Sequence, residues 1–301
     1  MDAVTSLLDI SKNFSVISTF NIVKVSGTKN KTTAEAMDGD CGIATLFTAN
    51  PNGGSCNPGQ ELPNIFCYGE LHEAIPDIDG NIGLSGLSLL NKFGTLFIDS
   101  EYTLIKDDYG RAIQSEIKGA IGKFRLVSET IVNDQVNVPK FKEAPADVKI
   151  SPNEKAIKLF QYWKNQHAKT RRNSFWAHMN ARGKLYFSFD EKELHNKTER
   201  FEFGAGLPFV KLAPFSYPAN HVAKVLELAS TSKSLTMSIS NKGCLTIDVD
   251  SGLGSYQFIF VGDQKLIRQW NMADEWLEPY DMETIIREDH MMHHEWEPNL
   301  D

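Results

Sequence analysis

Cysteine is scarce and scattered. The four in 301 residues, Cys41, Cys56, Cys67 and Cys244, stand at long irregular spacings with no CxxC pair. That excludes a disulfide framework and a zinc-ribbon spacing, and leaves free thiols in a reducing compartment. No run of 18 apolar residues exists, so no membrane-spanning helix is expected. The opening MDAVTSLLDISKNF lacks the basic region of a secretory leader. Catalytic signatures are missing as well. There is no phosphate-binding GxxxxGK[ST], no GxSxG, no HExxH and no GxGxxG opening a helix. Carboxylates are plentiful, yet nothing in the sequence pairs them. The expectation is a protein that is not an enzyme and carries no cofactor. His290–His294 (HMMHH) and Asp38-Gly39-Asp40 lack the further ligands that zinc or calcium needs, so no metal site is expected either.

What is present is an ordinary globular composition with an uneven charge. The length suits two domains. Net charge is −8, but residues 263–301 hold eleven acidic and three basic side chains, which is the whole excess. Removing them from the totals of 39 and 31 leaves 28 of each in residues 1–262. A neutral body can still carry a basic face, so the positions of its lysines matter more than its sum.

A short amphipathic helix followed by strands recurs four times. Val4–Phe14 places Val4, Leu7, Ile10 and Phe14 inward, with Thr5, Asp9 and Lys12 outward. Leu84–Phe93 turns Leu87, Leu90 and Phe93 inward, with Ser85, Ser88 and Lys92 outward. In Asn153–Lys169 the residues Ala156, Leu159, Phe160 and Trp163 fall at i, i+3, i+4, i+7. Lys158, Gln161 and Asn165 lie opposite, Lys155 and Lys169 flank the stripe, and Ser151-Pro152 reads as its start. Pro218–Ala229 buries Val222, Val225, Leu226 and Ala229, and directs Asn220, Lys224 and Glu227 away.

Between the helices the apolar period falls to two. Phe20–Ser26, Thr95–Asp99, Tyr102–Lys106, Ala112–Lys118, Lys184–Phe189, Leu235–Ser240, Leu245–Asp250 and Tyr256–Val261 read as strands. Tyr109-Gly110, Arg182-Gly183 and Asn241-Lys242-Gly243-Cys244 read as turns. Residues 50–64 form a Pro/Gly/Asn-rich loop. Residues 128–150 contain Pro139 and Pro145, show no helical period, and read as an extended linker. The expected fold class is α+β, with two tandem domains of antiparallel sheets each backed by two short helices. The expected boundaries are 1–127, a connector 128–150, 151–262, and an acidic tail 263–301.

The four helices share an unusual outer face of Ser, Asn, Gln and Lys. A rigid, wet, cationic face can approach phosphate oxygens without reading bases, and electrostatic contacts of that kind let a protein stay on DNA while moving along it. The candidates are Lys12, Lys92, Lys155, Lys158, Lys169 and Lys224, with Arg171 and Arg172 in KTRRNSFW just past the third helix. The alternative for each is an ordinary solvated side chain.

Residues 215–261, FSYPANHVAKVLELASTSKSLTMSISNKGCLTIDVDSGLGSYQFIFV, resemble the last domain of the DNA sliding clamps. SLLDISKNFSVISTFNIVKVSG, IDGNIGLSGLSLLNKFG and VNDQVNVPKFKEAPADVKISPNEKAIKLF resemble, in this chain order, the opening helix and strand, the short first-domain helix and the proline-bearing connector of the T-even bacteriophage clamp. The resemblance spans most of residues 1–262 and rests on no single diagnostic motif. It implies a homotrimeric ring that encircles double-stranded DNA, with helices lining the hole and sheets outside. It implies a processivity factor that a clamp loader ATPase places on DNA, and that tethers a DNA polymerase in the cytoplasm of an infected bacterial host. It also implies a partner pocket beneath the connector, formed here by Val136, Val138, Pro139, Phe141, Ile259 and Val261, where plain core packing is the alternative. Two other readings stand beside it. One is a monomeric polymerase accessory protein of related fold, and the other a β-rich virion or assembly protein whose helices are over-read.

Overall fold

The computed structural model describes residues 3–38, 65–93, 101–109, 112–119, 122–136, 138, 145–168, 174–180, 182–189, 200–213 and 215–262. In chain order they form α1 (Ala3–Phe14), β1 (Ile22–Thr28), β2 (Lys31–Met37), β3 (Ile65–Leu71), β4 (Gly80–Ser85), α2 (Leu87–Phe93), β5 (Glu101–Lys106), β6 (Ala112–Gly119), β7 (Gly122–Arg125) and α3 (Glu129–Gln135). There follow β8 (Val148–Ile150), α4 (Glu154–Ala168), β9 (Ser174–Met179), β10 (Leu185–Ser188), β11 (Arg200–Gly204), β12 (Ser216–Pro218), α5 (Ala219–Glu227) with a 3₁₀ turn at Leu228–Ser230, β13 (Ser234–Ser240), β14 (Cys244–Asp250) and β15 (Gly254–Val261). The chain is α+β, and every strand pairing among the described residues is antiparallel.

One eight-stranded sheet, ordered β4-β1-β2-β3-β15-β14-β13-β8, runs through both halves of the chain. Its seam is the ladder between β3 and β15, in register from Leu71 opposite Gly254 to Ile65 opposite Phe260. Sheets ordered β11-β10-β9-β12 and β5-β6-β7 complete the fold. Period-two alternation sorts the large sheet's side chains. Val23, Val25, Cys67, Leu245, Ile247, Val249, Tyr256, Phe258 and Phe260 enter the main core, while Ile22, Phe66, Tyr68, Cys244 and Ile259 face the other way.

The four expected helices are present, and their apolar stripes are buried. Val4, Leu7, Ile10 and Phe14 of α1 are buried, as are Leu87 and Leu90 of α2, Ala156 and Phe160 of α4, and Val222, Val225 and Leu226 of α5. Helices α1 and α2 pack together, as do α4 and α5. Around Phe160 gather Phe175, Phe187, Phe189, Phe201 and Phe203, with ring centroids 4.9–6.4 Å away and mostly edge-on, the geometry that ring quadrupoles favour.

Four expectations change. Leu84 and Ser85 end β4, so α2 begins at Leu87. Helix α4 is capped by Asn153, not by Ser151-Pro152: its Oδ1 accepts the Ala156 amide hydrogen at 2.8 Å. Asp9 does not point to open solvent but is held by Tyr256, Ser251 and Asn13. The connector is not wholly extended, because residues 129–135 coil into α3 against β4 and β1. A seven-residue helix with one inward side chain, Val132, is too short to show a period. The expected strand Thr95–Asp99, the loop 50–64 and the tail 263–301 lie outside the described residues.

Candidate nucleic-acid and partner interfaces

Each helix pair turns its apolar stripe to the core, which leaves the opposite side for lysines. Lys12 on α1, Lys92 on α2, Lys155 and Lys158 on α4, and Lys224 on α5 are all exposed. Lys169, Arg171 and Arg172 lie outside the described residues.

The charge on this layer is not simply positive. Lys158 Nζ lies 2.5 Å from Glu154 Oε1 one turn earlier. Lys224 Nζ lies 3.0 Å from Glu227 Oε2. The hydrogen bond and charge of Lys158 hold the Glu154 carboxyl below its usual range. Lys12 and Lys155 have no side-chain ion pair among the described residues. Burial pushes the His221 imidazole on α5 down, against the opposing Asp38 carboxylate, so His221 adds no positive charge at neutral pH. Tyr162, one turn beyond Lys158 on α4, is exposed on the same layer.

On the other face of the large sheet the connector builds a second, smaller apolar cluster. Val132 and Val136 of α3 and Val138 beyond it meet Met37 of β2, Phe66 of β3 and Ile259 of β15, with Ile22, Tyr68, Cys244 and Val261 packed at the margin. Gly83 of β4 makes this approach possible. A Cβ there would stand 2.8 Å from Val127 Cβ and 3.1 Å from Val132 Cγ2. Four of the six expected partner-site residues, Val136, Val138, Ile259 and Val261, therefore come together. Three are buried and Val261 is half-exposed. Pro139 and Phe141 lie outside the described residues. The sequence reading missed Met37, Phe66 and Val132. Their signal was weak, since Met37 and Phe66 are single apolar residues on the outward side of a strand and Val132 is the one buried residue of a short helix.

Beside this cluster, the same face carries an open polar groove across β2, β3, β15, β14 and β13. It is lined by Thr33, Glu35, Tyr68, Glu70, Asp248 and Gln257 among others. Lys24 pairs with Glu35 at 3.3 Å and Lys31 with Glu70 at 2.6 Å. Gln257 donates to Asp248 at 3.1 Å. Among the described residues no group of three His, Cys, Asp or Glu is arranged to hold a metal ion, and no helix is long and apolar enough to cross a membrane. The His290–His294 run lies outside them.

No protein-family model and no curated protein matches the sequence. Solved structures do match the fold. PCNA from Thermococcus kodakaraensis superposes with a TM-score of 0.55 at 14% identity, covering 87% of this chain and 98% of that one. The PCNA2-PCNA3 complex from Sulfolobus tokodaii gives 0.53 at 12% identity, over 86% of this chain and 96% of that one. A. fulgidus PCNA, solved with the C-terminal region of FEN-1 bound, gives 0.53 at 9% identity, over 86% and 95%. At such identities the likeness is one of fold, and the fold is that of the PCNA clamps: an α+β chain of two domains, with antiparallel sheets and a few short helices.

Proposed function

We propose that this chain is a sliding clamp, a DNA polymerase processivity factor that encircles double-stranded DNA and tethers the replicative polymerase. The observation that supports this most is the near-complete coverage of the clamp chains, 95–98% of their length, by this chain. Two domains, 1–127 and 151–262, joined by the connector 128–150, close a ring as a homotrimer. Free edges of neighbouring subunits pair across each interface, which also removes sheet edges from solvent. The lysine-bearing helix layer faces the hole and contacts phosphates without reading sequence.

The chain itself performs no chemistry and needs no cofactor; a clamp loader ATPase opens and closes the ring. Tethering raises the local concentration of polymerase at the primer end. A polymerase C-terminal peptide inserts apolar and aromatic anchors at the connector cluster; the A. fulgidus clamp, solved with the C-terminal region of FEN-1 bound, supports peptide binding as a mode for this fold. The resemblance of several segments to the T-even phage clamp supports a viral protein acting in the cytoplasm of an infected bacterial cell. The presence of the four helices removes the premise of the β-rich virion reading.

Light scattering of the purified chain tests the assembly. Three 33.8 kDa copies give about 101 kDa. A 34 kDa species that stimulates polymerase without a loader would instead establish the monomeric accessory protein. Stimulation on a circular primed template, dependent on loader and ATP, tests the function.

A further inference from the structure

Lys158 and Lys224 on the helix layer each carry a carboxylate of their own. Glu154 sits one turn before Lys158, with 2.5 Å between charged atoms. Glu227 takes Lys224 with both oxygens, at 3.2 and 3.0 Å. All four side chains are open to water, where an ion pair is weak and readily exchanged.

Helix stability does not account for Glu227. It occupies the last turn of α5, where the helix dipole disfavours a carboxylate. It also stands C-terminal to its lysine, the less favourable order for a pair on a helix. What the arrangement does provide is a competitor. A phosphate that approaches Lys158 or Lys224 must first displace a carboxylate, so each contact yields less than a free lysine would. Lys12 and Lys155 have no such partner among the described residues.

We propose that Glu154 and Glu227 are positioning residues that hold Lys158 and Lys224 in exchangeable ion pairs, and thereby limit how tightly the helix layer grips a phosphate backbone. This rests on the clamp reading. Its consequence is a hold on duplex that is broken and remade at low cost, as movement along DNA requires.

The test uses the full chain and a fluorescein-labelled linear duplex, titrated across a range of salt. The variant Glu154→Gln with Glu227→Gln is expected to bind about threefold to tenfold more tightly than wild type at low salt. In a Lys158→Gln, Lys224→Gln background the same two glutamate changes are expected to give no gain. Thermal midpoints within a degree or two of wild type are expected, because the groups are exposed. Equal affinity of wild type and the glutamate variant, with both binding, overturns the proposal. So does an undiminished gain in the lysine-free background, which would show a general effect of net charge. Absence of binding by wild type and every variant at low salt overturns this proposal alone if loader-dependent polymerase stimulation persists, and the clamp reading with it if that stimulation is also absent.

Discussion

Tyr256 donates its phenolic hydrogen to Asp9 Oδ2 at 2.6 Å across 247 residues of sequence. Ser251 Oγ donates to the same oxygen at 2.8 Å. The Tyr256 ring stands edge-on to Phe14, centroids 6.0 Å apart. Helix α1 near the start of the chain thus grips β15 of the second half, on the seam that joins the two halves. Gly69 of β3, directly opposite Tyr256 in the ladder, leaves room for the ring: a Cβ there would stand 2.8 Å from Tyr256 Cδ1.

Tyr256→Phe removes that hydrogen bond and leaves the ring in place. We expect a loss of about 1–2 kcal/mol. Gly69→Ala pushes the ring away from Asp9 and should cost about 1–3 kcal/mol. Urea unfolding reads both, as a lower midpoint at unchanged slope. A wild-type midpoint for Tyr256→Phe would show that the bond contributes nothing to the seam.

Alkaline pH should unfold the chain early. Burial pushes the phenols of Tyr102, Tyr217 and Tyr256 up, with Asp77, Cys244 and Asp9 respectively adding to the effect. Each holds its proton more tightly folded than unfolded, where it titrates near pH 10. Their contribution is therefore complete below about pH 10 and is lost above it, by about 1.4 kcal/mol per pH unit for each residue. The Cys67 and Cys244 thiols, also pushed up by burial, begin the loss from about pH 8.5. Denaturant midpoints from pH 7 to 11 check this. A flat profile above pH 10 would contradict the burial of the three phenols.

Reversing Lys158 and Lys224 to Glu places like charges beside Glu154 and Glu227, on exposed surface. Retention on circular duplex after loading should be weaker at low salt and should depend less steeply on salt than in wild type, at unchanged subunit mass. If the double variant keeps the wild-type salt dependence, the helix layer is not what faces DNA.

The connector cluster separates stability from partner binding. Ile259→Ala opens a cavity beneath Val136 and Val138, and should cost about 2–4 kcal/mol. Val261→Ser, at the half-exposed margin, should leave stability within about 1 kcal/mol of wild type. The same change should reduce polymerase stimulation at least fivefold. Normal stimulation by Val261→Ser would assign the cluster to packing alone.

Much of this fold was legible in the sequence because its signals are local. Alternation in Leu245–Asp250 directed Leu245, Ile247 and Val249 to one side and placed them in the core. The i, i+3, i+4, i+7 pattern around Phe160 set the buried side of α4, and so made Lys158 an exposed residue. The acidity of residues 263–301 and the neutrality of the rest were equally plain. The connector helix was not legible, because α3 gains its helical form from packing Val132 on Gly83, not from any period of its own.

Composition and periodicity by themselves determined the fold class, the helices, seven of the fifteen described strands and which of the described lysines reach solvent, since each depends on neighbours within a turn or a strand. Only the tertiary structure decided that β3 and β15 join the two halves, that Asp9 serves Tyr256 instead of water, and that the connector closes over Ile259. Those contacts link residues far apart in sequence, where packing selects one pairing and local preference selects none.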